Sequence, residues 1–203
     1  MNESKEINEL KEKFHLLMEK GVAYFYEDIE SIKRECLNYM VSKTYCINIR
    51  PFEAERFGFK LGRALKKKPA KYKTLYEYFM DEYDRVRLIE IYDDELMDSD
   101  IYFYDSEGVT NFFFDAGGDI RNIKKTIIKD GLFVRDVNYG KRGCSISEYV
   151  YNGDSLVRIR VNQKEHRNND FSFYDVMLSY DDSGMLDKII NVFPNGYQVQ
   201  RFP

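Results

Sequence analysis

The stretch Ile101-Tyr102-Phe103-Tyr104-Asp105-Ser106-Glu107-Gly108-Val109-Thr110-Asn111-Phe112-Phe113-Phe114 decides how this chain folds. Two runs rich in aromatic and β-branched residues flank a short Asp/Gly turn, which is how a β-hairpin is written. The turn recurs as Tyr180-Asp181-Asp182-Ser183-Gly184-Met185-Leu186 and, more loosely, as Tyr149-Val150-Tyr151-Asn152-Gly153-Asp154-Ser155-Leu156. Working outward, the same grammar predicts strand pairs at 75–80 with 86–92, 120–128 with 132–137, 146–151 with 156–161, and 171–180 with 185–193. Asp130-Gly131 is a two-residue hairpin signal, because both positions tolerate positive φ. A last strand is expected over 197–202, after Pro194-Asn195-Gly196.

Upstream the period changes from two to between three and four. Ile7, Leu10, Phe14 and Leu17 form one apolar stripe, which predicts an amphipathic helix over 4–20 with Ser4 as its N-cap. Gly21 interrupts, and a second stripe runs through Phe25, Ile29, Ile32, Cys36 and Met40. Tyr45, Ile47 and Ile49 then alternate with polar neighbours, as do Phe57, Phe59 and Leu61, which predicts two short strands. The segment 62–73 is basic, carries Pro69 and reads as a loop. The expectation is one domain over 1–203 of class α+β: a helical segment (1–44), then a long antiparallel β-meander (45–203). A sheet that long must curl, split into layers or be covered, because an open face would expose too many aromatics.

With 17 Tyr, 15 Phe, no Trp and 43% hydrophobic residues, the chain can fill a core, and its aromatics favour strands. A mean hydropathy of -0.57 with 33% charged residues argues for a charged exterior. There is no basic-then-apolar leader and no run of roughly 20 apolar residues. Cys36, Cys46 and Cys144 are odd in number and widely spaced, the pattern of reduced thiols. A cytoplasmic protein without membrane contact is therefore expected.

Charge is segregated. Seven basic residues and no acid fall between Lys60 and Lys73, whereas twelve acids face only Arg85 and Arg87 between Glu77 and Glu107. The basic run includes Tyr72, but the acidic sheet region would repel a phosphate backbone, so no nucleic-acid partner is expected. Chemistry-bearing patterns are sparse. Cys144 follows Lys141-Arg142-Gly143, and His166 with Asn168 or Asn169 completes a Cys-His-Asn set on paper. No family signature surrounds it, and a structural cysteine is the preferred reading. Asp93, Asp94, Glu95, Asp98 and Asp100 lack the glycine and closing glutamate of a calcium loop and read as a solvated turn. His15 and His166 have no metal-ligand spacing, and Ala116-Gly117-Gly118 precedes a strand rather than a helix. No catalytic, cofactor or metal residues are assigned.

The Tyr-Asp-x-x-Gly turns resemble the tyrosine-aspartate repeats of Rhs-type bacterial toxins, although here the copies begin far apart rather than at a short regular interval. A small acidic chain of helices followed by such hairpins is similar in style to the immunity proteins that accompany bacterial contact-dependent toxins. That resemblance, with the charge segregation, implies a non-enzymatic binding protein that neutralises a toxin, docking a basic partner on an acidic, aromatic sheet surface. The expected contact residues are Asp93, Asp94, Glu95, Asp98, Asp100, Tyr102 and Tyr104. The alternative is a self-associating structural or regulatory module, and a third possibility is a hydrolase using carboxylates or Cys144.

Overall fold

The computed structural model describes residues 4–168 and 170–203. Its helices are α1 (Lys5–Lys20), α2 (Tyr26–Glu35) after a 3-10 turn at Val22–Phe25, and the single turn α3 (Glu53–Arg56). Its strands are β1 (Asn38–Ser42), β2 (Ala64–Leu65), β3 (Leu75–Met80), β4 (Val86–Asp93), β5 (Glu95–Tyr104), β6 (Gly108–Phe114) and β7 (Ile120–Lys129). They continue as β8 (Leu132–Gly140), β9 (Gly143–Asn152), β10 (Ser155–Glu165), β11 (Ser172–Tyr180), β12 (Leu186–Val192) and β13 (Gln198–Phe202).

All thirteen strands form one sheet in the order β13 to β3, then β1, then β2. Every neighbouring pair is antiparallel. The expected meander is thus present, and the sheet greatly outweighs the helices. Among the described residues no helix is long and apolar enough to cross a membrane.

Each face of the sheet is covered differently. On one face α1 lays down Ile7, Leu10, Phe14 and Leu17, all buried, against Phe112, Ile123, Val137 and Tyr139. Each such side chain contributes about 2 kcal/mol by leaving water. Ser4 caps the helix as expected, its hydroxyl accepting from the Ile7 amide at 3.3 Å. Phe25 inserts between Phe103, Phe112 and Phe114, with ring centroids 4.8–6.0 Å apart.

The opposite face is filled by residues 43–62. Tyr45, Ile47 and Ile49 pack on Tyr78, Ile89, Tyr102 and Val109 from β3–β6. A few residues on, Phe52 packs into the cluster of Tyr149, Ile159, Val176 and Ile189 from β9–β12, its ring 6.2 Å from Tyr180. One short segment can reach both ends of so wide a sheet only if the sheet curls around it. The curl, with the helices outside, is how the aromatic burden is buried.

Three expectations are corrected. The strands expected at 45–49 and 57–61 are irregular chain. In 45–50 the intervening positions do not simply face water. Asn48 Oδ1 accepts from the Ala54 amide at 2.8 Å, the Cys46 amide donates to the Tyr78 hydroxyl at 3.1 Å, and Arg50 is buried. Side chains satisfy the backbone in place of a ladder. The second helical stripe stops at Glu35, and Met40 belongs to β1, which pairs with β3 inside the stretch expected to be helical. The basic loop contains β2, which pairs with β1.

The turns divide differently from their spelling. At Asp81, Asp115 and Asp181 one geometry repeats: the Asp amide donates to the carbonyl four residues on, and its Oδ1 accepts backbone amides two and four residues on. Its fourth residue, Asp84, Gly118 or Gly184, has positive φ. The Tyr104 copy is shorter, closing between Asp105 and Gly108, while Tyr149–Leu156 closes through Gly153-Asp154. Gly108 has φ 151°, and a Cβ there would lie 2.1 Å from the Thr126 carbonyl oxygen of β7. Gly184 has φ 80° and open space around it. We therefore expect Gly108→Ala to lower the unfolding free energy by about 3 kcal/mol and Gly184→Ala by only about 1 kcal/mol in denaturant titrations.

Candidate functional site: a polar cluster and cavity under the curled sheet

The inner face of the sheet carries polar residues where alternation would put core: Asp100 and Tyr102 on β5, Asn111 on β6, Lys124 and Thr126 on β7, Asp136 on β8. They converge on Arg50, which is 2% exposed. Its Nε donates to Thr126 Oγ1 at 2.7 Å and one Nη to Asn111 Oδ1 at 2.7 Å, while the other Nη lies 3.4 Å from Glu53 Oε1. Asp136 Oδ1 sits 3.5 Å from Nε and has no hydrogen bond of its own, so it contributes charge alone. A buried guanidinium is tolerable only when its donors and charge are met in this way.

The cluster extends on both sides. Asn111 donates to Asp100 Oδ1 at 2.7 Å, and the Tyr102 hydroxyl donates to Asp100 Oδ2 at 2.5 Å. Lys124 reaches Glu53 Oε1 at 3.1 Å. Beyond Asp136 the Tyr149 hydroxyl donates to Oδ2 at 2.6 Å and accepts from Arg56 at 3.2 Å. The carboxyl groups of Glu53 and Asp100 are driven apart. Burial alone would raise Glu53, but Lys124, Arg50 and Arg56 hold it at about 2. Burial wins at Asp100, whose pKa is raised despite the Tyr102 and Asn111 donors.

Beside this cluster, between residues 43–62 and strands β3–β7, lies an open cavity of about 720 Å³. Its walls are mainly apolar and aromatic, with Tyr45, Tyr76, Ile89 and Phe113 inside. Phe57 and Phe59 stand at 63% and 64% exposure. Phe113 and Asn122 are shared with a more polar cleft of about 660 Å³ over β7–β10.

The seven expected contact residues are separated by the fold. Asp93, Asp94 and Glu95 form the exposed tip of the β4–β5 hairpin, with Asp93 opposite Glu95 and Asp94 at φ 63°. Asp98 is half-buried. Asp100 and Tyr102 line the inner cavity, Tyr102 being 2% exposed, and Tyr104 lies beneath the Arg85 guanidinium at 4.8 Å. Burial raises the Tyr104 hydroxyl to about 12.

Four acids of the acidic stretch are paired with cations of the chain itself. Glu77 and Glu90 face each other directly across β3 and β4, an unfavourable pairing offset by Lys68 on Glu77 and by Lys33, 2.7 Å from Glu90. Arg85 holds Asp81, and Lys125 holds Glu107, each at 2.7 Å.

Cys144 is buried in the core beneath the helices, while His166 Nε2 is 2.8 Å from the Gly140 carbonyl and its ring tilts against Tyr139. Asn169 lies outside the described residues. Among the described residues no group of three or more His, Cys, Asp and Glu side chains could hold a metal ion. Sequence reasoning missed Arg50, Glu53, Asn111, Lys124 and Thr126. The one available signal was polar residues at inward positions of otherwise apolar strands. No protein-family model matches the chain, and neither does any curated protein.

Two outcomes are expected. Arg50→Met should cost about 3–5 kcal/mol in chemical unfolding, because it takes the adjacent cation from buried Asp136, removes one of the cations at Glu53 and leaves Asn111 and Thr126 without its donors. Because the Glu53 pKa is lower folded than unfolded, its contribution is present above the ordinary value of 4.5 and is lost as pH falls toward about 2. The stability gap between wild type and Glu53→Gln should narrow over that window, as followed by thermal unfolding. Asp100, raised on folding, has the opposite linkage, so the comparison must isolate Glu53.

Proposed function

We propose that this chain is a non-catalytic binding protein that engages a basic protein partner, acting as an immunity protein toward a bacterial toxin. The observation that carries this reading is a run of three adjacent exposed carboxylates that none of the described ion pairs engages. Asp93, Asp94 and Glu95 are all exposed on one hairpin tip, and Leu96 and Met97 beside them are 42% and 41% exposed. Carboxylates steer an oppositely charged partner in, and adjacent apolar side chains supply contact area once it has docked. The hairpin is anchored by pairing on both sides, β4 with β3 and β5 with β6, so the tip is presented on a rigid base. Compared with the expectation from the sequence, the proposed surface narrows to the tip, because Asp100 and Tyr102 face inward.

A second reading, self-association through the sheet, is favoured by the position of β13. It is the terminal strand of the sheet, with Tyr197 exposed beside it, and a terminal strand is a template for pairing with another chain.

The test is titration of the full chain with the protein encoded by the neighbouring open reading frame, monitored by interferometry and sedimentation. A complex that weakens as salt rises is expected. Replacing Asp93→Asn, Asp94→Asn and Glu95→Gln together should slow association by about tenfold. No complex, or one indifferent to salt and to the triple change, overturns the reading. A stable symmetric oligomer of the chain alone would favour self-association instead.

A further inference from the structure

The cavity under the curled sheet has a charge pattern that the hairpin-tip reading does not use. Six charged side chains line it: Lys43, Arg50, Glu53, Lys60, Asp100 and Lys124. Both acids are already engaged by protein donors. Glu53 Oε1 takes Lys124 and Arg50, and Oε2 lies 3.4 Å from the Tyr45 hydroxyl. The Asp100 oxygens take Asn111 and Tyr102. Arg50 and Lys124 are consumed by the same network. The exposed ammonium groups of Lys43 and Lys60 remain, and neither has an ion pair among the described residues. Between these cations and the buried network the walls are aromatic and aliphatic, and Phe57 and Phe59 stand exposed beside them.

An apolar pocket with a few fixed polar groups is the usual form of a small-molecule site, and about 720 Å³ lies within the volume range of such pockets. The residual charge decides the ligand's sign. A cation would meet carboxylates whose oxygens are already turned toward protein donors, and two unpaired lysines besides. An anion would meet those lysines directly. Aromatic walls suit a flat hydrophobic body, which stacks on ring faces with little loss of conformational freedom.

We propose that this cavity is a binding site for a small organic anion with a flat apolar body, the body seated among Tyr45, Tyr76 and Phe113 and the anionic group facing Lys43 and Lys60. The site is independent of the hairpin tip, since β4 and β5 approach it only through their inward side chains.

The experiment is calorimetric titration of the full chain with 2-naphthoate and, as a matched probe of opposite sign, 2-naphthylmethylammonium. Both are repeated on the double variant Lys43→Glu/Lys60→Glu, whose positions are exposed and whose unchanged melting temperature would confirm the fold. Saturable binding of naphthoate is expected, with the ammonium compound binding weakly or not at all. The double variant should weaken naphthoate by at least about fivefold, the scale of two partly exposed ion contacts. The proposal is overturned if naphthoate does not saturate, if the ammonium probe binds as tightly, or if charge reversal leaves naphthoate affinity unchanged. Phe59→Ala is the second check, since loss of a rim aromatic should weaken both the naphthoate signal and its heat of binding.

Discussion

A guanidinium shut away from water is the constraint around which the inner half of this molecule is arranged. Arg50 is 2% exposed, and its donors are met by side chains of β6 and β7 and by its own segment, with Asp136 of β8 adding charge. An unpaired charge in that position would be intolerable, so Asn111, Thr126, Glu53 and Asp136 must stand where they do relative to Arg50. Residues 43–62 are thereby fixed against the middle of the sheet. The apolar side chains on either side of Arg50 then find the strands toward each edge, and the sheet closes over them.

That closure resolves the problem of a thirteen-stranded sheet with 15 Phe and 17 Tyr. One face is covered by the apolar stripe of α1 with Phe25, the other by an irregular segment of the chain itself. The price is a set of ionised groups inside, and these are matched in pairs and triads: Glu53 with Arg50 and Lys124, Glu77 with Lys68, Glu90 with Lys33. Internal matching also takes Glu77 and Glu90 of the acidic stretch out of the surface charge. Two exposed groups stand out among the charges left outside: three carboxylates on one hairpin tip and two lysines at a cavity mouth.

The turns show how one chemical device can serve different spellings. An Asp carboxylate that accepts amides two and four residues on shapes the turns beginning at Asp81, Asp115 and Asp181, whatever precedes it. Tyr104-Asp105 and Tyr180-Asp181 look like copies, yet their loops close over different lengths, and only Gly108 is pressed against a neighbouring strand. Residue identity specified that a turn occurs, while its neighbours in space set which substitutions it tolerates.

The sequence by itself determined every element whose signal is local. The α1 stripe, the Ser4 cap, the break at Gly21 and the hairpins β3–β4, β5–β6, β7–β8, β9–β10 and β11–β12 follow from periods of 3.6 or two and from turn chemistry acting within a few residues, whereas Glu95–Asp100, read as a solvated turn, is the first half of β5. Tertiary structure alone decided the fate of residues 43–62, whose alternation spells a strand but whose polar positions are claimed by partners as distant as Tyr78 and Thr126. It likewise decided that Asp100 and Tyr102 turn inward while Asp93, Asp94 and Glu95 turn out. Alternation reports that successive side chains point to opposite faces, but which face meets water depends on what the rest of the chain lays over it.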